Sequence, residues 1–176
     1  MAVLSIGKAS TCGMIHRTKS GGVMNEIEKR GLDFILQGDS PVFQTLGEQV
    51  KLIQNVDRKW SSKGLEAVFG LSDSVVPLED KQMFELSDVY AEFEGISPDP
   101  GLVLWVNEGK IFRFVCFSFD QDFNESSKLL DLYYVELSDS QIDFDVRRVD
   151  ARNEERTLWP HYLRCKHEFR RTEMSQ

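Results

Sequence analysis

Leu102-Val-Leu-Trp-Val-Asn-Glu-Gly-Lys-Ile-Phe-Arg-Phe-Val-Cys-Phe-Ser-Phe119 is the stretch on which the fold turns. Two apolar runs, Leu102–Val106 and Lys110–Phe119, flank Asn107-Glu108-Gly109, a spacing that reads as a β-hairpin with Gly109 in the positive-φ position. The second run is apolar on both faces, with Ile111, Val115, Phe117 and Phe119 set against Phe112 and Phe114. Such a strand belongs in the middle of a sheet that helices cover on one side.

The neighbouring segments extend the same pattern. Met83–Phe93 alternates Val89, Ala91 and Phe93 with Tyr90, Glu92 and Glu94, as a strand with one wet face does. Ser97-Pro-Asp-Pro-Gly101 is a dense turn signal. Leu129–Leu137 and Ile142–Val149 continue through Ser138-Asp-Ser140, and in the last of these Ile142, Phe144 and Val146 oppose Asp143, Asp145 and Arg147. The expectation is a mainly antiparallel β-meander of about five strands.

Residues from Asn25 to about Gly70 read mostly as helix. Ile27, Phe34 and Ile35 make an approximate helical stripe, although Gly31 weakens it and Leu32–Leu36 also suits a first strand. Ser40 is a good N-cap and Pro41 suits the first helical position, with Val42, Leu46, Val50 and Ile53 at helical spacing and Gly47 as the weak point. Ser61-Ser62 before Leu65, Val68 and Phe69, closed by Gly70, suggests a brief third helix. Helices first and antiparallel strands afterwards make an α+β protein, with N-terminal helices packed on the meander.

Residues 1–23 hold no periodic apolar face and are expected to be a disordered tail, leaving one α+β domain over 24–176; Met24 would equally suit a start. From Arg152 to Arg171 helix and strand are both open: Leu158, Tyr162 and Cys165 are helically spaced, Pro160 limits where a helix begins, and Trp159 and Phe169 are the expected anchors. With 176 residues, 41% hydrophobic and 11% aromatic, the chain can bury one sizeable core. The three cysteines, Cys12, Cys116 and Cys165, form no disulfide framework and point to a reducing, cytoplasmic setting. No apolar run approaches the roughly 20 residues of a membrane helix, and the first thirty residues lack the core of a secretory signal.

Sites of chemistry are sparse. His161-x-x-x-Cys165-x-His167 is metal-capable, but zinc needs three or four ligands and the other candidates, Cys12, His16 and Cys116, lie far off in sequence. A packed cysteine beside exposed histidines is the plainer reading, with no metal and no cofactor. Asp120, Asp122, Asn124 and Asp131 sit at calcium-loop spacing, yet Glu125 occupies the position that needs glycine and Asp131 replaces the bidentate glutamate, so a solvated acidic loop is expected. The chain has no nucleophile elbow, zinc-protease or phosphate-loop motif. The pairs Glu92/Glu94 and Asp143/Asp145 alternate along strands, which places them on a wet face rather than in a catalytic pair.

Charge is the remaining signal. Residues 31–146 carry eight Lys/Arg against twenty-two Asp/Glu, a net of −14 in a chain whose total is −8. Basic residues gather at the two ends, and Arg147, Arg148, Arg152 and Arg156 suit phosphate contacts, but an acidic body repels a polyanion, so nucleic acid is not the expected partner. The expectation is a small acidic protein-binding module of the inhibitor, immunity or antitoxin kind that neutralises a basic protein. Its candidate surface is Glu85, Asp88, Glu92, Glu94, Asp120, Asp122, Glu125, Asp143 and Asp145. Two alternatives stand beside it: a subunit of a larger, phage or viral assembly, and an enzyme of an unrecognised small family using His161, Cys165 and His167.

Overall fold

The computed structural model describes residues 16–17, 22–119, 122–137, 146–155 and 157–158. Two helices, α1 (Glu26–Ile35) and α2 (Pro41–Val50), lie against one sheet of eight strands: β1 (His16–Arg17), β2 (Ile53–Ser61), β3 (Gly64–Leu71), β4 (Phe84–Phe93), β5 (Gly101–Asn107), β6 (Lys110–Phe117), β7 (Leu129–Leu137) and β8 (Val146–Val149). The spatial order is β1-β2-β3-β6-β5-β4-β7-β8, and every neighbouring pair is antiparallel. The α+β class read from the sequence is the observed one. No helix among the described residues is long and apolar enough to cross a membrane.

The strand count and the plain meander need correction. Ile53 does not end the second helix and Leu65–Phe69 is not a third; both belong to the hairpin β2–β3. Leu65, Val68 and Phe69 mimic helical spacing, but the buried residues are Leu65, Ala67 and Phe69, which have the two-residue period of a strand. With β3 in the sheet, β6 has β3 on one side and β5 on the other, so β7 crosses over to pair with β4. Two residues of the segment expected as a tail, His16 and Arg17, pair with Trp60 and Lys59 as the edge strand β1.

Each helix is fixed by local chemistry before it is packed. Asn25 and Glu28 form a reciprocal capping box at 2.8 and 2.9 Å, satisfying two of the orphan N–H groups of α1. Ser40 caps α2 and Pro41 follows in its first turn. α1 buries Ile27, Leu32 and Ile35, and α2 buries Phe43 and Leu46, against Leu86, Val89, Leu102, Leu104, Phe114 and Leu132 of the sheet. Each such side chain contributes on the order of 1.5–3 kcal/mol.

Two buried polar residues join helix to sheet. Glu28 is fully buried, and its carboxylate takes Arg58 at 2.5 and 2.7 Å, tying α1 to β2. Gln49 donates to the carbonyls of Val76 and Gly109 at 2.9 Å each and accepts from Ile111 N–H at 2.8 Å. The β5–β6 hairpin is thereby anchored to α2. Its turn has Glu108 and Gly109 at φ 52° and 73°, and a side chain on Gly109 would meet the Leu78 carbonyl at 2.6 Å.

The two helix glycines flagged by the sequence have opposite roles. A Cβ on Gly31 would lie 2.8 Å from the fully buried Phe114 ring, whereas one on Gly47 meets nothing within 4 Å. Gly47→Ala should therefore raise stability by up to about 1 kcal/mol, the intrinsic helix preference. Gly31→Ala should lower it by about 1–3 kcal/mol, because overpacking outweighs that preference. Urea denaturation of the two variants checks the sign at each position.

Candidate functional site

Below the pair Val89–Tyr134, β4 and β7 are hydrogen-bonded down to Phe93 and Leu129. Above it they part. β4 has a bulge between Leu86 and Val89, above which it is laddered to β5, while Val135–Leu137 of β7 is laddered to β8. The opening is a cleft of about 500 Å³ lined by Met83–Glu85, Ser87, Asp88, Trp105, Tyr134–Glu136, Val149, Arg152, Asn153 and Thr157.

Arg152 closes the bottom of this cleft. Its guanidinium holds Asp88 in a two-point ion pair, Nε to Oδ2 at 2.7 Å and Nη2 to Oδ1 at 2.9 Å. Nη1 donates to the Ile35 carbonyl and, at 3.1 Å, to that of Gln37, at the C-terminal end of α1. The same cation lies over the Phe43 and Tyr134 rings, with centroids 4.7 and 4.6 Å away. Thr157 adds a 2.8 Å hydroxyl bond to Asp88, and the Glu154 carboxylate accepts from Asp39 and Ser40 N–H at 2.8 and 2.9 Å, just ahead of α2. Arg152 is 4% exposed, so it is structural and not a surface cation offered to phosphate.

The other candidate acids fall in three places. Glu85 is exposed at the cleft rim, and Asp88 lies below it on the bulge. Glu92 faces Asp131 across the β4–β7 ladder, and Glu94 pairs with Lys128 at 3.7 Å. Asp122 and Glu125 are exposed on the loop that Phe123 pins into the core, its ring packing edge-on against Phe93 at 4.8 Å. Glu125 also borders a second cleft of about 530 Å³ with Glu26, Arg58, Trp60 and Lys128. Asp120, Asp143 and Asp145 lie outside the described residues, as do His161, Cys165 and His167. Cys116 is fully buried in the core, and burial pushes its thiol up, away from reactivity. Among the described residues no three His, Cys, Asp or Glu side chains are grouped for a metal ion.

Arg147 and Arg148 are also engaged, with Glu136 at 3.4 Å and Asp131 at 2.6 Å. The Arg148 hydrogen bond, followed by the Leu132 N–H, holds the Asp131 carboxyl below its usual range. Arg148 also covers the Tyr133 ring at 4.3 Å. Burial, and then a 2.6 Å hydrogen bond to Asp99, raise the Tyr133 phenol. Burial raises Tyr90 and Tyr134 in the same direction. Comparison of the chain with protein-family models, curated proteins and solved structures finds no match.

Two measurements test this site. Arg152→Ala leaves Asp88 without its cation and should cost about 3–5 kcal/mol, whereas removing both charges in Asp88→Ala/Arg152→Ala should cost less than the two single losses combined. Chemical denaturation in a double-mutant cycle gives the coupling. The tyrosines set an alkaline limit: their folded pKa lies above the unfolded value of about 10, so their contribution is complete below that pH and fades as pH rises past it. Tyr133→Phe should flatten the loss of stability above about pH 10, read as melting temperature against pH.

Proposed function

We propose that this chain is a small acidic protein-binding module that engages and neutralises a basic protein partner, in the manner of an inhibitor, immunity protein or antitoxin, in the cytoplasm. The observation that carries the reading is how the charges are used. Eight of the described cations, Arg30, Lys51, Arg58, Arg113, Lys128, Arg147, Arg148 and Arg152, already have carboxylate partners. Glu85, Glu92, Asp122 and Glu125 stand in no ion pair among the described residues. Arg147, Arg148 and Arg152 offset three acids of the −14 segment from beyond it, and these four remain without an ion pair among the described residues.

Unpaired carboxylates on a rigid sheet attract a cationic surface at long range and fix its register on contact. Glu85 and Glu92 are both on β4, where the ladder to β5 holds the first in place and the ladder to β7 the second. A partner seated on them neutralises charges that otherwise repel one another.

Association with the basic partner should slow steeply as salt rises, because screening acts over about 10 Å at 0.1 M, while dissociation changes less. Glu85→Lys with Glu92→Lys should lower the on-rate about tenfold and leave the melting temperature nearly unchanged. Affinity capture from the native host followed by stopped-flow kinetics checks both points. An acidic specific partner, or an on-rate that ignores salt and both reversals, overturns the reading.

A further inference from the structure

Both helices lie on one face of the sheet, where α1 meets β4, β5 and β7 and α2 meets β6. The ladders assign a row of rings to the other face. Gly64, Phe117, Gly101, Tyr90 and Tyr133 are successive partners across β3, β6, β5, β4 and β7, so their side-chain positions share one side. One residue along, the partners Val89, Leu102 and Cys116 turn the opposite way and are buried in the core. Glycine in the middle of the row leaves room for the Phe117 ring, since a Cβ on Gly101 would lie 2.7 Å from it. Phe119, just past β6 and 46% exposed, packs edge-on against Phe117 at 5.0 Å and lies nearly parallel to Tyr90 at 6.5 Å.

Two residues further along β4 and β7, Glu92 and Asp131 are partners on this same face. Asp131 holds the Arg148 guanidinium at 2.6 Å, and that cation covers the Tyr133 ring at 4.3 Å. Ring, cation and carboxylate make one complete seat. Beside it, Glu92 stands in no ion pair among the described residues, and no described Lys or Arg lies over Tyr90, Phe117 or Phe119. Lys63 comes to the Phe119 carbonyl at 3.4 Å and not over its ring.

We propose that Tyr90, Phe119 and Glu92 form a docking seat for an arginine side chain of the basic partner, with the guanidinium on the rings and its N–H groups on the carboxylate. This seat rests on the acidic-module reading and deepens it by naming the side chain recognised. Charge complementarity selects the occupant. Glu92 faces Asp131 directly across the ladder, and opposed like charges are unfavourable until a second cation offsets them. Arg148 bonds Asp131 and reaches Glu92 through space only. Arginine fits better than lysine, because its planar, weakly hydrated guanidinium stacks on an aromatic face and still presents N–H groups to a carboxylate. A nucleic-acid base also stacks on such rings, but its phosphates would meet Glu92 and the Asp99 carboxylate that accepts from Tyr133.

The test is an NMR titration of the full chain with an end-blocked Gly-Arg-Gly-Arg-Gly peptide. The Tyr90 and Phe119 ring signals and the Glu92 carboxylate should shift, and the arginine side-chain protons should move upfield under the ring currents. Affinity should fall about two- to fivefold with lysine in place of arginine, and about tenfold with citrulline, which keeps the shape and removes the charge. Tyr90→Leu and Glu92→Gln should each cost about two- to fivefold. Citrulline leaves the protein untouched, so that arm does not depend on a variant folding. Absence of binding, equal affinity for the lysine or citrulline peptide, or shifts centred elsewhere each overturns the proposal. Stronger shifts of the same rings by oligouridylate overturn it in favour of nucleic acid, and a doubled mass with those shifts before any peptide is added assigns the face to a second copy. If the arginine peptide fails while the captured partner still associates in a salt-dependent way, the arginine seat falls and the acidic-module reading stands.

Discussion

A guanidinium buried against aromatic rings has few stable arrangements, and Arg152 satisfies its own with groups from four parts of the chain. Asp88 takes the charge, the end of α1 takes a third N–H, and the Phe43 and Tyr134 rings both lie against the cation. Removing such a cation from water is costly unless every donor is paired, so the surrounding groups are fixed by that requirement as much as by hydrophobic packing. The bulge in β4 has its reason here, since it brings Asp88 within reach of a cation on the helix side of the sheet. The cleft lies beside that bulge. Fold and candidate site therefore depend on one ion pair.

The Glu28–Arg58 pair shows the same logic at the other end of α1. Its carboxylate caps the helix that contains it and neutralises a cation from β2, so one side chain sets both where α1 starts and which strand lies beneath it. Gln49 does without charge what these pairs do with it, meeting three backbone groups at once. In all three cases a polar side chain inside the core specifies a single arrangement of helix on sheet, where apolar packing alone tolerates several.

What the sequence reveals and hides follows from how far each signal reaches. The hairpin at residues 101–117 is legible because both runs and the Glu108-Gly109 turn are local. So are the caps of α1 and α2, which depend on neighbours two or three residues away. The β2–β3 hairpin is obscured because Arg58 occupies a core-facing position between Val56 and Trp60, and a charge there breaks the expected alternation; its partner Glu28 lies 30 residues upstream. Ala67 completes the period of β3 but is too small to register as an apolar signal. Asp88 and Arg152 are 64 residues apart, and nothing local marks either one as paired. Asp88 reads from sequence as one more surface acid, and Arg152 as one more member of a basic cluster.

The reach of residues 152–158 also has a consequence in time. Glu154 and Arg152 bind the region between the two helices from 115 residues further along the chain. On the ribosome both helices emerge long before the side chains that lock them. Until those arrive, α1 and α2 have only their caps and whatever strands have already paired, and isolated ten-residue helices are marginal in water. The nascent chain is thus held back from premature closure, and the fold is completed as a cooperative event late in synthesis instead of growing element by element from its N-terminal side.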